Sequence, residues 1–259
     1  MMEYLDATFS PAEFEALRER DLSGTACVVF DVLRATSSML TALANGATAI
    51  VPVEDIPQAL AWRRRHPEVL LAGERDGLRI HAGLTGGVEF DLGNSPREYT
   101  AERVTGRLIV STTTNGTRAL RACARAPLIL VGGFLNLRAV AEELRRRAYG
   151  RVLLVCGGTF EEMALEDVLA AGGLAELLLR DAPRAAASDA VQVALQLYAQ
   201  HRSDLLAAMR LARNGRKLLA HPELSGDVAA CLEMNKLDLV AVMDEQGLVR
   251  RLEPASGCD

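Results

Sequence analysis

The chain has 259 residues, 49% of them hydrophobic, 24% charged and only 4% aromatic, which is enough for one large or two small domains around an aliphatic core. That composition excludes a disordered chain, and a net charge of −5 argues against a nucleic-acid binder while leaving room for a locally positive site. The five cysteines (Cys27, Cys123, Cys156, Cys231 and Cys258) form no Cys-x-x-Cys pair, no stretch reaches the roughly 18 apolar residues of a membrane span, and the acidic start lacks a leader pattern, so a cytoplasmic globular protein with reduced thiols is expected.

In chain order, residues 3–22 predict a strand and then a helix, whose start is marked by Ser10 as N-cap, Pro11 at N1 and Glu13 at N3. Cys27 to Phe30 has the composition of a buried strand and stops at Asp31. After Arg34-Ala35-Thr36-Ser37-Ser38 a helix is expected over Met39–Ala44, closed by Asn45-Gly46. Strand, helix and strand follow over Thr48–Val53, Ile56–Arg65 and Val69–Ala72, the last running into Gly73-Glu74-Arg75. Residues 76–105 are glycine-rich and irregular, and so long a loop in a compact protein points to function.

A similar order then recurs, with strands over Leu108–Ser111, Leu128–Val131 and Val152–Cys156 and helices over Arg118–Arg125 and Leu137–Arg147. The first strands, at Val28 and Leu108, lie about 80 residues apart, and a hydroxyl-rich loop follows each. An internal duplication of a βαβαβ unit fits this order, although any α/β protein alternates in the same way. The expected architecture is α/β with a mainly parallel or mixed sheet, residues 1–105 forming one half and 106–259 the other. The second half adds helices over Glu161–Arg180, Ser188–His201 and Leu205–Leu219, with Ala171-Gly172-Gly173 interrupting the first, and a terminal hairpin of Leu239–Met243 and Leu248–Leu252.

Two loops carry the candidate chemistry. Thr112-Thr113-Thr114-Asn115-Gly116-Thr117 follows a strand and opens a helix that Thr117 could cap, presenting free N–H groups and the positive end of a dipole to an anion such as phosphate. The loop from Asp31 sets a carboxylate, the Arg34 guanidinium and the hydroxyls of Thr36 and Ser37 within a few residues at a strand's C-terminal end, where open α/β sheets bind ligands. Familiar phosphatase signatures are missing. Leu33 occupies the place of the second acid of an Asp-x-Asp nucleophile loop, neither Cys123 nor Cys156 has an Arg six residues on, no Walker-type glycine loop occurs, and the four histidines are scattered. Carboxylates remain, namely Asp31, Glu74, the i, i+4 pair Glu162 and Glu166, and Asp167, and facing oxygens of this kind suit Mg²⁺.

The blocks Phe30-Asp31-Val32-Leu33-Arg34-Ala35-Thr36-Ser37, Ala72-Gly73-Glu74-Arg75, Phe90-Asp91-Leu92-Gly93-Asn94-Ser95-Pro96 and Thr112–Thr117, followed by Glu166-Asp167-Val168, resemble the 2-phosphosulfolactate phosphatase family. The resemblance implies a Mg²⁺-dependent phosphatase releasing phosphate from (2R)-2-phospho-3-sulfolactate, a step of coenzyme M biosynthesis. It also implies catalytic roles for Asp31, Arg34 and Arg75. Substrate contacts would come from Thr36, Ser37, Asn94, Ser95, Thr113, Thr114, Asn115, Gly116 and Thr117, and metal ligation from Asp31, Glu74, Glu166 and Asp167. The stretch 81–88 is longer and richer in glycine than the family's usual connection, which bears on the substrate-side loop. The partner expected is a small anion carrying phosphate plus sulfonate or carboxylate, with no nucleic acid and no membrane; a homo-oligomer is left open. Two other readings share these features: a phosphatase of another phosphorylated hydroxy acid or sugar phosphate, and a non-catalytic binder of phosphorylated acids. The binder gains nothing from carboxylates beside its ligand.

Overall fold

The computed structural model describes residues 2–253. Strand β1 (Tyr4–Thr8) is followed by a 3₁₀ turn and helix α1 (Phe14–Glu19), with the Glu13 carboxylate reaching back to the Ser10 N–H as the capping pattern requires. Next come β2 (Thr25–Phe30), α2 (Ala35–Ala44), β3 (Ala49–Pro52), α3 (Ile56–Arg65) and β4 (Leu70–Arg75). The stretch read as irregular holds short pieces: β5 (Leu78–Arg79), α4 (Ala82–Thr85) and α5 (Ala101–Val104). Strand β6 (Leu108–Thr112), α6 (Gly116–Ala122), β7 (Leu128–Gly132), α7 (Leu137–Arg147) and β8 (Arg151–Cys156) form the second series. The helical region comprises α8 (Leu165–Asp181), a short β9 (Ala186–Ala187), α9 (Asp189–His201), α10 (Leu205–Leu211), α11 (Arg213–Leu219) and α12 (Ser225–Cys231). The chain closes on β10 (Ala241–Met243) and β11 (Val249–Arg251).

All described strands join one mixed, mostly parallel sheet in the order β5-β4-β6-β3-β11-β10-β7-β2-β8-β1-β9. The first strand of each series is exchanged: β6 lies between β3 and β4, and β2 lies between β7 and β8, all parallel. The expected terminal hairpin is present, and it sits in the middle of the sheet. Its strands pair antiparallel with β7 on one side and β3 on the other, so the last residues of the chain join the two series. The order of strands on the two sides of the hairpin is symmetrical, a property of topology that does not by itself confirm a duplication of sequence.

Both faces of the sheet are covered, which is why its strands read as continuous apolar runs. On β2, Ala26, Val28 and Phe30 face a core shared with α7, α8 and α9, while Cys27 and Val29 face a second core containing Leu40 and Leu120. The same alternation splits Val152 and Leu154 from Leu153 and Val155 on β8. Cys27, Cys123, Cys156 and Cys231 are buried free thiols; Cys258 lies outside the described residues.

Two expectations about α8 need correction. The helix begins at Leu165 rather than Glu161, because Thr159 and Glu162 exchange backbone hydrogen bonds in a tight turn before it. It also runs unbroken through Gly172-Gly173. These glycines serve packing: a Cβ on Gly172 would lie 2.2 Å from the Ala194 carbonyl oxygen on α9. Gly172→Ala should therefore destabilise the protein by about 1–3 kcal/mol through overpacking, although alanine is the better helix former by about 1 kcal/mol. A lower urea midpoint at constant m-value is the expected observation.

Candidate active site

The exchange of β2 and β6 has a local consequence. The loops leaving their C-terminal ends meet, and a Cβ on Gly116 at the start of α6 would stand 2.7 Å from the Ala35 Cβ and 2.8 Å from the Asp31 Oδ2. Only glycine lets the two helix starts approach this closely. The cleft at this meeting point is lined by Asp31, Arg34, Glu74, Asp76, Gly77, Asn94 and the run Thr113–Asn115. Gly158, Thr159 and Phe160 of the loop after β8 complete it, with Arg213, Asn214, Lys217 and Leu218 of α11.

Four carboxylates define its electrostatics. Asp31 is held at the start of α2, its Oδ1 accepting from the Ala35 N–H at 3.2 Å. Burial pushes its pKa up to about 7; the Ala35 N–H pulls the other way, and the neighbouring Glu74 and Glu166 charges add to the rise. Asp167 is fully buried and raised well above the usual carboxylate range, by burial first and then by Asp31 and Glu166. Its two oxygens accept from the Val32 N–H at 2.8 Å and the Gly158 N–H at 3.0 Å, tying the loop after β2 to the loop after β8. Glu166 is raised by burial and accepts from the Asn214 amide at 2.5 Å, while its Oε2 is buried without a partner. Glu74 takes the place that the sequence offered to an external anion: its Oε1 accepts from the Thr114 N–H and hydroxyl at 3.1 and 2.8 Å, and its Oε2 from the Gly77 N–H. Besides Glu166 Oε2, the Thr113 hydroxyl and the Asn115 Oδ1 are buried without partners.

The Arg34 guanidinium is nearly inaccessible to solvent and already committed. It donates to Asp227 Oδ2 at 2.6 Å and to the Gly77 carbonyl at 2.5 Å, so much of its fork is a strut between α12 and the turn after β4. Asp227 is fully buried, and its other oxygen accepts from the Ser95 hydroxyl at 2.6 Å.

The structure thus brings Asp31, Arg34, Glu74, Asn94, Thr113, Thr114 and Asn115 to one cleft, with Glu166 and Asp167 packed behind it. Several other expected contacts turn away. The Thr36 hydroxyl closes on the Asp31 backbone, that of Ser37 on the Val32 carbonyl and that of Thr117 on the Thr113 carbonyl. Asn115, not Thr117, is the N-cap of α6. Ser95 serves Asp227, and Arg75 bridges the Glu74 carbonyl to Thr112. Glu162 lies before α8, exposed and paired with Arg213, so it shares no helix face with Glu166. Sequence reasoning missed Asp227, Arg213, Asn214 and Lys217. The basic run Arg213–Lys217 was a usable signal, since its ends share a helix face at i, i+4. Nothing local marked Asp227.

A family model for 2-phosphosulpholactate phosphatase matches residues 12–246. Three similar proteins carry the name probable 2-phosphosulfolactate phosphatase. One from Synechococcus sp. (strain JA-3-3Ab) is 41% identical over 86% of this chain and 91% of its own. One from Caldicellulosiruptor saccharolyticus is 38% identical, over 76% and 79%. One from Caldanaerobacter subterraneus subsp. tengcongensis is 35% identical, over 92% and 95%.

The raised Asp31 has a sign-definite effect on stability. An unfolded aspartate ionises near pH 4, whereas the folded Asp31 holds its proton to about pH 7. Between those values the folded state binds the extra proton, so its stability falls as pH rises through the window. Chelator-treated protein should lose melting temperature from pH 4.5 to 7.5, and Asp31→Asn should flatten that slope. An equal slope in the variant would place the pH dependence elsewhere.

Proposed function

The chain belongs to the 2-phosphosulpholactate phosphatase family, and from that premise we propose that it is a Mg²⁺-dependent phosphatase converting (2R)-2-phospho-3-sulfolactate to 3-sulfolactate and phosphate, a coenzyme M type step. The observation that carries this reading is the pair Asp31 and Glu74 in the cleft, backed by the buried Glu166 and Asp167, with Arg34 already bound to Asp227. A site that only binds an anionic ligand would be weakened by such a set, whereas a site that neutralises a phosphoryl group through a cation needs it.

The donors fit Mg²⁺ in kind. Among the described residues no group of three or more His, Cys, Asp or Glu side chains is placed to hold a metal ion, so the ion would rest on one or two carboxylates and keep waters and phosphate oxygens, as Mg²⁺ usually does. Asp31 and Glu166, whose Oε2 is unpartnered, are the donors named for it; Asp167 is taken up by two backbone amides and Glu74 by three donors from Thr114 and Gly77. Bound there, Mg²⁺ supplies charge neutralisation for the phosphoryl group. The chain's own groups do the positioning. The Thr113 hydroxyl and Asn115 Oδ1, buried at the cleft wall without partners, are the groups left to serve a phosphoryl oxygen and the attacking nucleophile. Arg34, fixed by Asp227 and Gly77, keeps its remaining donors for the phosphate at little entropic cost.

Phosphate release from a panel of phosphorylated hydroxy acids, with Mg²⁺ and with EDTA, tests the reading. Turnover of phosphosulfolactate that EDTA abolishes is expected; undiminished release after exhaustive chelation would sink the metal. Asp31→Asn should need more Mg²⁺ and regain part of its activity at saturating metal. Failure of any metal concentration to help would make Asp31 the nucleophile instead. Arg34→Lys cannot serve Asp227, Gly77 and substrate together, and should lower kcat/KM more than tenfold, about 1.5–3 kcal/mol.

A further inference from the structure

We infer that Lys217 holds the substrate's second anionic group, the sulfonate or carboxylate that is not transferred, and so sets the enzyme's preference for phosphorylated acids over simple phosphate esters. The inference rests on the phosphatase reading above and extends it to a residue outside the family's N-terminal blocks.

Four residues of α11 line the cleft: Arg213, Asn214, Lys217 and Leu218. Their spacing of i, i+1, i+4 and i+5 is that of one helix face. Asn214 fixes that face, because its amide donates to Glu166 Oε1 at 2.5 Å and to the Thr159 hydroxyl at 2.6 Å. Lys217, one turn further along, is therefore placed in a set relation to the acids. On the opposite wall the tight turn at Gly77 gives it room. A Cβ built on Gly77 would stand 4.0 Å from both the Lys217 Nζ and the Arg34 guanidinium, so the two cations converge over one glycine.

The cations of the cleft differ in their commitments. Arg34 is paired with Asp227, and Arg213 with Glu162. Lys217 pairs with no carboxylate among the described residues, although acids line the same cleft. A substrate bearing phosphate, sulfonate and carboxylate brings more negative charge than the phosphoryl site neutralises. The surplus charge is repelled by Asp31 and Glu74 and requires a cation that is not already satisfied. Lys217 is that cation, and its long flexible stem suits a group whose geometry is not that of a planar fork.

The test compares wild type with Lys217→Met, which keeps the stem and removes the charge, and with Lys217→Arg. Calorimetric binding of 3-sulfolactate reads the second anion without turnover, and inorganic phosphate reads the phosphoryl end. Lys217→Met should weaken 3-sulfolactate about tenfold more than it weakens phosphate, and should raise KM for phosphosulfolactate with little change in kcat. Lys217→Arg should recover most of the loss. Equal weakening of both ligands, or no weakening of 3-sulfolactate, would overturn the assignment. A wild type that binds 3-sulfolactate through Lys217 yet releases phosphate from no acid in the panel would overturn the phosphatase reading, and with it the role in substrate preference, while keeping Lys217 as the contact for the second anion.

Discussion

The site depends on one electrostatic constraint, the crowding of Asp31 at the cleft wall against the buried Glu166 and Asp167. Burial raises all three, and their mutual repulsion adds to the rise for Asp31 and Asp167. Such a cluster is costly to keep in a folded protein. The chain offsets part of that cost chiefly with backbone amides, with Arg34 acting on Asp31 and Asn214 and Arg213 on Glu166. Asp167 takes two amides from separate loops, Asp31 takes one at the start of α2, and Glu74 takes amides from two further segments. The acids are therefore also the staples of the cleft, since each fastens the loops that surround it.

The positive side of the site is built from the other end of the chain. Arg34 lies thirty-odd residues from the start, and its carboxylate partner Asp227 lies on α12, 193 positions away. A buried pair of this kind is strongly destabilising when one partner is lost, because the other stays charged and dry. The helical region consequently cannot be a loose appendage. Through Asp227 it holds the guanidinium, and through Asn214 it reaches the acid cluster.

Topology explains how two loops distant in sequence come to share a cleft. Exchange of β2 and β6 between the two series turns both hydroxyl-rich loops toward the middle of the sheet, and the short hairpin β10-β11 fills the gap between β3 and β7. The contact of Gly116 with Asp31 and Ala35 is the local result. No helix among the described residues is long and apolar enough to cross a membrane, in keeping with an aliphatic core enclosed between layers of short amphipathic helices.

By itself the sequence determined what depends on near neighbours. The strands were legible because both faces of a buried parallel sheet are apolar, α3 and α7 matched residue for residue, and Ser10 with Glu13 marked the first helical turn. The acids Asp31, Glu74, Glu166 and Asp167 and the family's motif blocks were also legible, because strand ends and motif spacing are local properties. Tertiary structure alone decided which side chains face the cleft. Thr36, Ser37 and Thr117 spend their hydroxyls on carbonyls of their own loops, a choice that composition does not encode. Gly172 reads as a helix breaker until the Ala194 carbonyl is seen against it. The commitment of Arg34 to Asp227 and the arrival of Lys217 opposite Gly77 are contacts across most of the chain, and only the packed sheet, with its last strands at its centre, brings them together.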